Sequence, residues 1–110
     1  MFTGKAKELF ECWYYKIANF GDHPIILDGF YEMRPEYQWG VIQDFGDSLG
    51  YYPVVNKTRN GLQVCYRAII IKLDESEKLI TSFNTRQEAR TAAIKKLNEL
   101  INEKNISEDI

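Results

Sequence analysis

The sequence is poor in the residues that staple or metallate a small domain, with two cysteines and a single histidine among its 110 residues. No CxxC or HxxxH spacing exists, so Cys12, Cys65 and His23 cannot build a four-ligand structural zinc site without carboxylates. No metal and no cofactor are expected. Two cysteines so far apart, with no secretory leader before them, read as reduced thiols in a cytoplasmic protein rather than as a disulfide. Also missing is any run of about 18 consecutive apolar residues, so neither a membrane-spanning helix nor a membrane partner is expected. Charge of one sign is missing too. Fourteen basic against sixteen acidic residues leave a net charge of -2, which argues against whole-chain attraction to polyanions and leaves only a local basic patch for such a role.

What is present is apolar surface. Hydrophobic residues make up 45% of the chain, enough to close one core without covalent staples. The reading is a single domain over residues 1–104, followed by a polar, frayed tail at 105–110.

Periodicity supplies the elements. Leu9, Phe10, Trp13, Tyr14 and Ile17 recur at helical spacing, with Thr3 as N-cap and Gly21 as stop. Asp22 to Arg34 is interrupted by Pro24 and Gly29 and reads as irregular. Tyr37, Val41, Ile42, Phe45 and Leu49 mark a second helix, opened by Pro35 and closed by Gly50. Three strands follow: Tyr51 to Thr58, a turn at Asn60 and Gly61, Leu62 to Leu73, a polar turn from Asp74 to Lys78, then Leu79 to Phe83. Asn84 or Thr85 caps a last helix in a box with Glu88, whose stripe is Ala89, Ala92, Ala93, Leu97, Leu100 and Ile101. The fold class is α+β: a three-stranded antiparallel sheet with core order αβββα and an additional N-terminal helix. The middle strand is apolar on both faces, so its second face needs a cover, either the N-terminal helix or a second copy of the chain.

Two phrases, YQWGVIQDFGDSLG from Tyr37 and TRQEARTAAIKKLNEL from Thr85, resemble those of small proteins encoded by gut-bacterial phages and prophages, over roughly residues 30–104. Gly46 departs from that pattern, where a second Phe is more usual, and is expected to loosen the helix. The resemblance implies relatives and no activity. The order αβββα, with a final helix opening on basic residues before an Ala pair, is also similar in topology to a double-stranded-RNA-binding domain. That likeness implies a phosphate-facing helix carrying Arg86, Gln87, Arg90, Lys95 and Lys96, and a hairpin carrying Lys57, Arg59 and Asn60. The Gly-Pro-x-His loop of that family is absent here, and Glu88 and Asp47 dilute the basic surface.

Candidate chemistry is scattered. Asp44 and Asp47 stand i, i+3 on the second helix and read as solvated carboxylates without a third ligand. The Asp44-Phe45-Gly46 triplet lacks every companion motif of a kinase. Cys12 and His23 are the minimum for a thiol nucleophile, yet Cys12 lies beside an apolar stripe and reads as buried and structural. Ser48 has no GxSxG context. Among the aromatic residues, Trp13, Tyr14, Tyr37 and Phe45 fall on predicted buried stripes. Tyr15 and Trp39 fall off them and are the candidates for protein binding. The expectation is a non-enzymatic interaction or adaptor protein, acting on an unknown protein partner or by self-association, with RNA binding as the alternative.

Overall fold

The computed structural model describes residues 1–18, 27–72 and 77–108. His23, the expected stop at Gly21, the first part of the turn from Asp74 and the end of the tail lie outside the described residues. The described elements run α1 (Gly4–Ala18), α2 (Leu27–Tyr31), α3 (Pro35–Ser48), β1 (Tyr51–Asn60), β2 (Gln63–Lys72), β3 (Glu77–Phe83) and α4 (Arg86–Glu108). The α+β class holds: the strands form one antiparallel sheet in the order β1-β2-β3.

Helix α4 forms where the capping chemistry puts it. The Glu88 N–H donates to Thr85 Oγ1 at 3.1 Å, which makes Thr85 the cap, and Ala89, Ala93, Leu97 and Ile101 are buried at strict i, i+4 spacing. Helices α3 and α4 both pack on the sheet face that carries Pro53, Val55, Ala68 and Ile70. Helix α1 does not cover the opposite face. It packs on α4, α2 and α3, because its buried residues Ala6, Phe10 and Tyr14 meet an aromatic cluster rather than strands. Phe10 is the hub: its ring centroid lies 4.9 Å from Phe30, 5.2 Å from Phe2 and 5.2 Å from Phe45. The burial of Phe30 explains α2, a helix of five residues in a stretch that propensity alone reads as irregular.

Thr3 was expected to cap α1. The cap comes instead from α4: Asn102 Oδ1 accepts the Ala6 N–H at 2.9 Å and its Nδ2 donates to the Thr3 carbonyl at 3.1 Å. The Thr3 hydroxyl is taken by Asn98 Nδ2 at 3.1 Å. Cys12 is exposed, a correction to its expected burial, since it lies on the side of α1 opposite Phe10 and Tyr14. Cys12 and Cys65 are both free thiols.

Helix α3 ends at Ser48 with Leu49 as its C-cap, and Gly50 just beyond, at a φ of 87°, suits the reversal into β1. Gly46 does not loosen the helix. A Cβ there would collide with the Tyr51 carbonyl oxygen and press on Pro53 and Leu97, so the missing side chain lets α3 approach β1 and α4. The β1-β2 turn sits one residue later than expected: Asn60 pairs with Gln63, leaving Gly61 and Leu62 as the two-residue loop. Between β2 and β3 the register slips at Ala68 and Ile69, which oppose Thr81 and Leu79, so Ile80 is the extra residue of a bulge and packs against the core.

Candidate nucleic-acid interface

Strand register decides which basic residues can act together. Lys57 opposes Tyr66 and Arg59 opposes Val64, so both cations share the face of the sheet on which the helices pack. The Arg86 guanidinium stands over the Tyr66 ring, 5.3 Å from its centroid, at the first turn of α4. One turn further, the Arg90 guanidinium stands over Trp39 at 5.7 Å. Such a cation–π contact orients the guanidinium while its remaining N–H groups can still donate, the buried Nε of Arg90 excepted. Lys57, Arg59 and Arg86 are exposed and Arg90 is half-buried. Four of the six sequence-predicted cations are thus brought to one end of one face.

Lys96 is not brought there. It points away around α4 and pairs with Glu99 at 3.5 Å, a surface contact of little energetic weight. Lys95, about 100° back round the helix, lines a groove instead. This groove runs between α3 and α4, encloses about 300 Å³, and is walled by Trp39 and Ile94 with Pro35, Thr91, Arg90 and Lys95. No carboxylate lines it among the described residues. Arg90 Nε is buried without a hydrogen-bond partner among the described residues, a state that costs about 1–3 kcal/mol for an unsatisfied donor. The groove was not foreseen, although Arg90, Ile94 and Asn98 at i, i+4, i+8 were its trace in the sequence.

The two aromatic candidates divide. Tyr15 is exposed, at 43%, but does not line the groove. Trp39 is only 8% exposed, which corrects its expected place off the buried stripe, and it still lines the groove. Its indole fills a socket made by Ala68, Ala89 and Ala93, three small residues from β2 and α4 that leave room for one large ring. Seating Trp39 there rotates α3, so Tyr37, expected on the buried stripe, is 67% exposed.

The remaining candidates stay apart. Asp44 and Asp47 are both exposed, and no group of three or more His, Cys, Asp or Glu able to hold a metal occurs among the described residues. The Ser48 hydroxyl donates to the Phe45 carbonyl of its own helix. The phenol of Tyr31 is held above the ordinary tyrosine pKa by burial and, secondarily, by the charge of Glu11. The second sheet face carries Tyr52, Val54, Ile69 and Ile71 by register. Ile69 retains only 8% exposure among its in-sheet neighbours, so the apolar strip is narrower than the sequence suggests. No helix among the described residues is long and apolar enough to cross a membrane. No protein-family model, curated protein or solved structure matches the chain.

Proposed function

We propose that this chain is a non-enzymatic binding module whose basic end grips the phosphate backbone of double-stranded RNA. One observation carries the reading: Lys57 and Arg59 from the hairpin converge with Arg86 and Arg90 from α4 on one face, within an αβββα core that has both helices on the same side of the sheet. Stacked arginines are pre-ordered phosphate donors, because less side-chain freedom is lost when each contact forms. The hairpin turn is only two residues long, so the reading assigns it backbone contact and not insertion into a groove. Recognition is then of shape and charge, independent of sequence. Origin in a phage or mobile element and a cytoplasmic location belong to the same proposal, resting on the two phrases of likeness and the two free thiols.

The test is anisotropy titration of a short RNA duplex across a salt series. Four phosphate contacts give a log–log salt slope of about -3 to -4. Lys57→Glu with Arg59→Glu, and separately Arg86→Glu with Arg90→Glu, remove binding while far-ultraviolet circular dichroism stays native. Binding that ignores salt, or survives both pairs, refutes the reading. A second reading, self-association or protein contact, is favoured by the face bearing Tyr52, Val54 and Ile71, on which α1 does not pack. It predicts a dimer by light scattering that Val54→Lys converts to monomer.

A further inference from the structure

We infer that the groove between α3 and α4 is a pocket for a nucleoside monophosphate, its phosphate held by Arg90 and Lys95 and its ring laid along Ile94 and the edge of Trp39. The inference rests on the phosphate-binding reading of Arg90 and does not need the hairpin. Size comes first. About 300 Å³ stands at the lower end of small-molecule pockets, which suits one nucleotide and not a peptide helix. Charge comes next: among the described residues two cationic side chains and no carboxylate line the space, so an anion is the complementary occupant.

Arg90 is the anchor: it lines the groove, and its guanidinium stands over Trp39, 5.7 Å from the ring centroid. Its Nε is buried and out of an occupant's reach, so the terminal N–H groups are the donors that a phosphate oxygen would meet in the strong, charge-assisted form. The walls are already set. Gln38 Nε2 is tied to the carbonyls of Phe30 at 3.0 Å and Tyr31 at 3.3 Å, and Asn98 Oδ1 accepts the Thr3 N–H at 2.9 Å. A pocket with fixed walls loses little freedom when filled. The apolar side supplied by Ile94, Pro35 and Trp39 gives a flat ring a surface that inorganic phosphate cannot use.

The experiment is a nitrogen–proton correlation titration of the intact chain with AMP and, in parallel, with inorganic phosphate. Trp39 Nε1–H and Arg90 Nε–H are the reporters, and Trp13, the other of the two tryptophans, is the internal control. The expected result is a saturable shift of both reporters with AMP, reached at lower concentration than with phosphate. Lys95→Glu, an exposed change that leaves the core intact, weakens it about tenfold, and Lys57→Glu with Arg59→Glu leaves it unchanged. No saturable shift, or equal responses to AMP and phosphate, overturns the nucleotide pocket. AMP binding by a protein that ignores duplex RNA supports the pocket and sinks the duplex reading alone.

Discussion

Helix α4 is one continuous element whose two halves have opposite fates. In the C-terminal half, Leu97 and Ile101 are sealed into the aromatic cluster around Phe10, and Asn98 and Asn102 clamp the first turn of α1. In the N-terminal half the fully buried side chains are alanines, against Trp39 and the sheet, with Ile94 half-buried beside them, while Arg86 and Lys95 are exposed and Arg90, half-buried, stands over Trp39. The sealed half holds the molecule together with large rings at 4.9–6.2 Å centroid spacing. The open half is held by small residues, which leave room for one indole and for cations stacked on aromatic faces. The difference teaches that α1, by lying on the helices and not on the sheet, divides scaffold from working surface.

The comparison breaks hardest at its rigid end. Phe10→Ala removes the ring that meets Phe2, Trp13, Tyr14, Phe30 and Phe45 and costs about 3–5 kcal/mol, a large part of the stability of a domain this size. Urea denaturation reads it, and a loss below about 1 kcal/mol would mean the sealed half is not the scaffold. Gly46→Ala tests the seam between α3, β1 and α4. Helix propensity favours alanine by about 1 kcal/mol, whereas collision with the Tyr51 carbonyl predicts a net loss of about 1–3 kcal/mol; stabilisation would refute the close approach. Asn102→Ala is the gentlest and sharpens the division most. It removes the α1 cap at a cost of about 1 kcal/mol and speeds amide exchange in the first turn of α1. Ligand binding at the groove stays unchanged. Equal loosening of both halves of α4 would show that the halves are not independent.

Much of this architecture is legible in the residues. The Ala89, Ala93, Leu97, Ile101 stripe and the Thr85 cap are local patterns that appear where periodicity and capping chemistry put them. The antiparallel order of the three strands follows too, although the first hairpin turn falls one residue later and β3 begins at Glu77, two residues earlier than expected. The readings that fail are those that depend on a distant partner. On α3 the expected stripe holds at Ile42 and Phe45, with Val41 and Leu49 packed against the core, but fails at its start, where Tyr37 is exposed and Trp39 is buried. The alanine socket that recruits Trp39 is contributed by residues far along the chain. Lys96 and Lys95 are indistinguishable by composition, and only the seating of α4 turns one toward Glu99 and the other into the groove. The bulge at Ile80 interrupts an alternation that the sequence alone leaves unbroken.

The sequence by itself determined the order of the principal helices and strands and the start of α4, since caps, turns and periodicity satisfy backbone groups within a few residues of one another. Only the tertiary structure decided what each surface became. The place of α1, the close approach at Gly46, the burial of Trp39 and the meeting of Lys57 and Arg59 with Arg86 and Arg90 all depend on volumes and registers contributed by separate segments. Packing at close to crystalline density couples those segments, so a local pattern cannot announce them.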